Sequence, residues 1–355
     1  MEKHICFVHI GMARDGAERV IARLSNMYAH KGYMVDIIVL LLDECGYELH
    51  DNVRIVSLVR NDMPRKKNIL YWIRGIRRFV KETNPEHVIA FSMYVNIFTL
   101  IACMGLKRDI LISERNDPSS DGRSKIDIAL TRLLYPFADK IVFQTNRAQN
   151  CFSKRIKDKS KIIVNPVEIA CEAEDQKDNK IVTVGRLESQ KNQSLLLRAF
   201  AKLHSDYSNI NLEIYGKGGL LDELVSEAKE LGILDRVEFM GNVPDVHYRI
   251  RNAIMFVLSS DFEGLSNALL EAMMMGIPCI STNCAGSDEV IRNEKNGLLV
   301  NVGDEDGLYM AMKKLLENNE LRKDISNQAK SDLSVFKSDK VLSEWMNYID
   351  SEVIL

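Results

Sequence analysis

The feature that most constrains this chain is a rhythm that occurs twice: short β-branched or apolar runs alternate with longer segments of helical periodicity. The first pass places strands at residues 5–10, 35–41, 53–58, 87–91, 110–113 and 140–143. The second places them at 181–184, 212–215, 237–240, 255–258, 279–281 and 297–300. Parallel strands need crossover connections, usually helices, so this alternation predicts parallel sheets covered by helices. The expected fold class is α/β, with two doubly wound, Rossmann-like domains. At 355 residues the chain also exceeds what one hydrophobic core usually serves. Residues 169–179 are polar and have little to bury, which marks them as a linker. The expected plan is a first domain over 1–168, that linker, a second domain over 180–335, and a terminal helix within 336–355 that packs back toward the first domain. Helices are predicted at 304–317, 320–333 and 338–349.

Hydrophobic residues make up 46% and charged residues 27%, ordinary for a water-soluble globular chain, and no apolar run reaches the ~18 residues of a membrane span. The first residues lack the basic, apolar and small-residue pattern of a secretory signal. Seven scattered cysteines without a C-x-x-C pair fit reduced thiols, so neither disulfides nor structural zinc are expected. These features predict a cytoplasmic protein. Charge is uneven: residues 1–168 hold 27 Lys and Arg against 19 Asp and Glu, the remainder 20 against 31. A basic first half suits an anionic partner, or simply solubilises its surface. Within it, residues 65–81 form a basic amphipathic helix whose apolar positions 69, 72, 73, 76, 79 and 80 share one face. With Trp72 read as an interfacial residue, this helix suits an anionic membrane surface; read plainly, it is a crossover helix packed on the first sheet.

Ligands of open parallel sheets lie beyond the carboxyl ends of the strands, and two facing sheets make a cleft, so the loops after strands should carry the chemistry. After the strand at 181–184 come Arg186 and Lys191, flanking a helix predicted to begin near Gln193. A guanidinium fork, a mobile ammonium and helix N–H groups together suit a pyrophosphate. After the strand at 255–258 comes Asp261-Phe262-Glu263-Gly264-Leu265-Ser266-Asn267, opening a helix that carries Glu271. Gly264 lets backbone approach a ligand, the N–H groups of Gly264, Leu265 and Ser266 can point at phosphate oxygens, and Glu271 can accept both hydrogen bonds of a ribose diol. The plainer alternative makes Glu263 a helix cap and Glu271 a solvated helix residue. None of the histidines stands in a metal-like cluster and no Asp-x-Asp motif occurs, so no metal is expected; cations and N–H groups would neutralise a leaving diphosphate.

Glu263 and Glu271, with seven residues between them, together with Gly185-Arg186-Leu187…Lys191-Asn192, make the chain resemble glycosyltransferase family 4, the large retaining GT-B family. Further matching segments are Gly16-Ala17-Glu18-Arg19, Ile112-Ser113-Glu114-Arg115-Asn116, Asn165-Pro166-Val167, Tyr215-Gly216-Lys217-Gly218, Phe239-Met240-Gly241-Asn242-Val243 and Asn296-Gly297-Leu298-Leu299-Val300. The resemblance implies GT-B architecture, with two domains facing across a cleft. It implies that Arg186 and Lys191 hold the diphosphate, Glu271 the ribose, Glu263 the sugar hydroxyls and the backbone near Val243 the base, with Gly16 leaving space beside the phosphates. Relatives often carry Gly-Gly in the first loop where this chain has Asp15-Gly16, and many carry a histidine where it has Arg115. Arg115 either supports sugar and leaving group electrostatically or only replaces that histidine.

The expected activity is retaining transfer of a sugar from a UDP-sugar to a carbohydrate, namely a polyprenyl-diphosphate-linked glycan in surface polysaccharide assembly such as capsule or O-antigen. No metal or cofactor is expected and nucleic acid is not an expected partner. The expected location is the cytoplasm, with peripheral contact at the inner face of the membrane through residues 65–81. Two rivals stay open: a UDP-sugar 2-epimerase of the same fold, against which the glutamate pair argues, and a catalytically silent sugar-nucleotide or glycan-binding partner.

Overall fold

The computed structural model describes residues 3–13, 16–60, 62, 65–119, 121–175, 177–284 and 286–351, with the side chains of 65–67 excepted. The chain divides into two units, Met1–Pro166 with Ser338–Leu355, and Val167–Lys337. Asp15, noted above beside Gly16, lies outside the described residues, as do the side chains of Arg65, Lys66 and Lys67.

Unit 1 is built on a seven-stranded parallel sheet of β1 (His4–His9), β2 (Met34–Val39), β3 (Val53–Ser57), β4 (His87–Phe91), β5 (Asp109–Glu114), β6 (Lys140–Phe143) and β7 (Ser160–Ile162), in the order β3-β2-β1-β4-β5-β6-β7. Successive side chains on a strand point to opposite faces, so alternate residues feed two cores. Cys6, Val8, Val88, Ala90, Ile110 and Ile112 enter one; Ile5, Phe7, Ile37, Ile89, Phe91 and Leu111 enter the other. Into the second core the helix Ser338–Ile349 inserts Trp345, fully buried and stacked on Phe91 at 5.5 Å between ring centroids. Lys140 fastens the end of that helix: its ammonium donates to the carbonyls of Ile349 and Ser351, each at 2.7 Å, and to Asp109 at 2.8 Å. A cation there also opposes the negative end of the helix dipole.

The helix Arg65–Thr83 buries Trp72, Ile76 and Val80 in the first core, and the Trp72 indole donates to the Leu58 carbonyl at 3.2 Å. The reading of Trp72 as interfacial is thereby corrected. An indole beside a strip of arginines looks the same in sequence whether its apolar face meets lipid or a sheet. Leu70, Arg74, Arg78 and Lys81 remain exposed on that helix.

Two carboxylates on unit 1 strands are held in ion pairs, Asp36 within β2 and Asp109 at the start of β5. Burial pushes the Asp36 carboxyl up, but hydrogen bonds and charge from His4 and Arg54 outweigh it and leave the group below its ordinary value. At Asp109 burial is likewise outweighed by His87 and Lys140. A depressed folded-state pKa contributes stability that is present above the unfolded value, near 4, and lost as pH falls through the folded value. Asp36→Asn should therefore cost on the order of 1–3 kcal/mol at neutral pH, and that difference from the parent should shrink as pH falls below about 4, as read by urea melts across pH.

Unit 2 repeats the plan with six parallel strands: β8 (Lys180–Val184), β9 (Asn211–Tyr215), β10 (Val237–Gly241), β11 (Met255–Leu258), β12 (Cys279–Thr282) and β13 (Leu298–Val300), in the order β10-β9-β8-β11-β12-β13. Of the stretch read from sequence as a linker, three residues hydrogen-bond to the rest of unit 2 through their backbone N–H groups: Ala173 to the Met275 carbonyl, Glu174 to that of Arg251, and Asp178 to that of Asn252, at 2.8–2.9 Å. Strand order in unit 2 reverses between β8 and β11, which places the loops leaving these two strands side by side.

Candidate donor-binding site

The loop leaving β8 runs Gly185-Arg186-Leu187-Glu188, turns through the 3-10 segment Ser189–Lys191, and enters the helix Gln193–Asp206. Asn192 makes the junction in a left-handed conformation (φ 44°), and its side chain caps the helix by accepting from Leu195 N–H at 3.2 Å. A short polar side chain tolerates this backbone region better than most, because it hydrogen-bonds locally. The same Asn192 donates to Asp261 at 2.7 Å, Ser259 donates to the Lys191 carbonyl at 2.9 Å, and Asp261 N–H donates to the Gln190 carbonyl at 2.9 Å. The two loops are stitched together along their length.

That stitching brings Lys191 and Glu263 into direct contact, with Lys191 Nζ donating to Glu263 Oε1. The same carboxylate oxygen accepts from Ser260 Oγ at 2.7 Å, while Gln190 Nε2 lies 3.4 Å from Oε2 and 2.9 Å from the Phe262 carbonyl. Glu263 is buried, and the cap of the following helix is Ser266, whose Oγ accepts from Leu269 N–H. Glu263 therefore takes no part in capping the helix Asn267–Met275. Burial first, and then the negative charge of Glu263, push the nearby Cys284 thiol up, so it stays protonated.

Glu271 lies inside the helix Asn267–Met275 and is also buried, its Oε2 3.1 Å from His247 Nε2. The solvated-helix reading of Glu271 is thus excluded. Arg186 is exposed and paired with Glu188 at 3.3 Å. Gly264, Leu265 and Ser266 are buried between Glu263 and the helix start, and Val243 is half-buried after β10. Unit 2 therefore brings Arg186, Lys191, Glu263 and the 264–266 backbone to adjoining loops at the carboxyl ends of β8 and β11. Sequence reasoning missed His247, Ser260, Gln190 and the Asn192–Asp261 lock. Their effect arises from contacts between different loops and leaves no local pattern.

In unit 1, Gly16 is the first residue of the helix Gly16–His30, in the connection that leaves β1. Arg115 directly follows β5, is buried, packs its guanidinium over Phe91 at 5.5 Å and donates to Asn165 Oδ1. Its neighbour Glu114 is raised by burial despite the Arg123 charge and the Tyr135 hydroxyl, which donates to it at 2.7 Å. A groove of about 730 Å³ elsewhere in unit 2, beside edge strand β13 and the helix Glu305–Glu317, is lined in part by the matching segment Leu298-Leu299-Val300 but by none of the residues given a donor-binding or catalytic role from the sequence.

Two family models match the chain: Glycosyltransferase Family 4 over residues 14–170, and Glycosyl transferases group 1 over residues 166–332. Among curated proteins it is 30% identical to a Campylobacter jejuni GalNAc-alpha-(1->4)-GalNAc-alpha-(1->3)-diNAcBac-PP-undecaprenol alpha-1,4-N-acetyl-D-galactosaminyltransferase, over 97% of this chain and 98% of that protein. It is 29% identical to the N-acetylgalactosamine-N,N'-diacetylbacillosaminyl-diphospho-undecaprenol 4-alpha-N-acetylgalactosaminyltransferase of the same organism, over 98% of this chain and all of that protein. Among solved structures, Anabaena Alr3699/HepE, in complex with UDP and glucose, superposes with a TM-score of 0.85 at 16% identity, covering 98% of this chain and 99% of that one. The lipopolysaccharide outer core galactosyltransferase WaaB gives 0.74 at 22% identity, over 98% and 99%. With two doubly wound parallel sheets and near-complete coverage by a relative of this identity, the chain belongs to glycosyltransferase family 4, has the GT-B fold and is a glycosyltransferase.

Proposed function

We propose that this glycosyltransferase moves a sugar from a UDP-sugar, with retention of anomeric configuration, onto a glycan carried by a polyprenyl diphosphate. The observation that carries the donor half is the contact of Lys191 with Glu263 where the strand order reverses; it supports a site in which the ammonium would bind phosphate and the carboxylate beside it would accept hydrogen bonds from sugar hydroxyls. Lys191 has three N–H donors and so can hold Glu263 and a phosphate oxygen together. Arg186 would add its fork to the diphosphate, the N–H groups of Gly264, Leu265 and Ser266 would face its oxygens, Glu271 would take the ribose and the backbone near Val243 the base. From unit 1, Gly16 would leave room for the diphosphate and Arg115 would support the leaving charge. The bond from the sugar C1 to the diphosphate breaks, the bond to the acceptor oxygen forms on the same face, and the acceptor proton passes to the departing oxygen. No protein nucleophile is required.

The acceptor half is supported by the two Campylobacter relatives, whose names specify undecaprenol-linked substrates. Incubating purified protein with UDP-sugars, GDP-sugars and ADP-sugars, a chelator and a lipid-extract acceptor tests both halves. Release of nucleotide only when acceptor is present, from one UDP-sugar, is the expected result; conversion of UDP-sugar without acceptor, or binding without release, would refute it. Proton NMR of the glycolipid product then reads its anomeric configuration.

An acceptor anchored in a bilayer brings the enzyme to its surface. No helix among the described residues is long and apolar enough to cross a membrane, so the contact proposed is peripheral and electrostatic. Exposed Arg74, Arg78 and Lys81 line the outer side of the helix Arg65–Thr83, beside exposed Leu70. Arg74→Glu/Arg78→Glu should reduce sedimentation with vesicles rich in anionic lipid about tenfold or more, at ~1 kcal/mol per basic residue removed. Sedimentation equal to that of the parent would exclude this face.

A further inference from the structure

We infer that His247 is a positioning residue that fixes Glu271 for recognition of the donor ribose and ties it to the segment through which the chain enters unit 2. The inference rests on the reading of Glu271 given above and deepens it. The imidazole is held at both nitrogens. Its Nδ1 lies 3.1 Å from the backbone N–H of Ala170, which can only donate, so Nδ1 must be the unprotonated acceptor. The ring proton then sits on Nε2 and is donated to Glu271 Oε2 at 3.1 Å. One backbone amide thus selects the tautomer, and the tautomer turns the imidazole into a donor aimed at a buried carboxylate.

The anchor is itself clamped. Ala170 is three residues past Val167, where unit 2 begins, and its carbonyl accepts from Tyr248 Oη at 3.3 Å. Both polar groups of one peptide residue are therefore held by consecutive side chains of the short helix Val246–Ile250. A carboxylate on a helix has rotamer freedom that must be lost before it can accept two hydroxyls at once. Committing Oε2 to a ring locked from behind removes that freedom before the nucleotide arrives.

Affinity for UDP and for 2′,3′-dideoxy-UDP, measured by calorimetry on the full chain, tests this. The parent should prefer UDP by about tenfold or more, the worth of a hydrogen bond to a charged group, and Glu271→Ala should erase the preference. His247→Ala should lose most of it while binding dideoxy-UDP as the parent does. His247→Gln, whose amide nitrogen reaches the place of Nε2, should restore it, whereas His247→Asn, which reaches only the place of Nδ1, should not. In turnover, His247→Ala should raise KM for the donor with little change in kcat.

A parent indifferent to the ribose hydroxyls would sink the ribose reading and this inference together. A parent that discriminates, with Glu271→Ala that does not and His247→Ala that still does, would overturn the role of His247 and leave Glu271 in place. Equal weakening of both ligands in every His247 variant would reduce it to fold maintenance and overturn the inference as well.

Discussion

Lys191→Met should cut sugar transfer roughly 100- to 1,000-fold, the scale seen when one preorganised donor to developing charge is removed, and should also lower the melting temperature. The two losses have different origins. Lys191 and Glu263 are 15% and 8% exposed in their side chains, so removing the ammonium leaves a mostly buried carboxylate with only neutral partners, Ser260 and Gln190, to offset its desolvation. Breaking such a pair costs about 3 kcal/mol, whereas replacing both partners by neutral groups of similar shape costs far less. Lys191→Met/Glu263→Gln should therefore recover most of the stability and none of the transfer. Thermal melts and turnover of the two single variants and the double variant make the cycle. Full activity in Lys191→Met would remove the diphosphate role, and activity in the double variant would remove the sugar-hydroxyl role of Glu263.

The same pair shows what was legible in the sequence. Two parallel sheets follow from the strand and helix rhythm, because a buried parallel strand must be apolar on both faces and its crossover helix on one. β7 was not legible: Ser160-Lys161-Ile162 has one apolar residue and lies half-buried at the sheet edge. The face of the helix Arg65–Thr83 was legible as apolar, but periodicity could not say that a sheet rather than lipid would cover Trp72. At the site, the resemblance pointed to Arg186, Lys191, Glu263 and Glu271, and position after a strand pointed to the loops. The sequence held no sign that Lys191 and Glu263 would bond to each other, nor that His247 would reach Glu271. Such contacts depend on which loops the strand order makes neighbours.

Gly286→Ala should disable the loop that carries Glu263 without unfolding the unit it belongs to. Gly286 has φ +84°, a conformation that costs an L-residue about 1–2 kcal/mol. Strain alone would be tolerable, but a β-carbon there would sit 1.6 Å from the Gly264 carbonyl oxygen and 3.2 Å from Leu265 Cα. Both are backbone atoms of the segment between Glu263 and Ser266, so no rotamer change relieves the clash. The loop leaving β12 or the loop leaving β11 must move, and Glu263 is on the latter. A displacement of ~1 Å at a reacting centre costs on the order of 100-fold in turnover. Gly303 supplies the control, with φ +75° and open space around its missing β-carbon. Gly303→Ala should show only the strain, as a small drop in melting temperature with donor affinity and turnover intact. Gly286→Ala, with the clash added to the strain, should show a larger drop in melting temperature and a collapse of both. If the two variants behave alike in turnover, close packing against Gly264 is not what holds the Glu263 loop in place. If they differ as expected, the geometry of the Glu263 loop is set from the neighbouring strand's connection, by a residue with no side chain to offer the substrate.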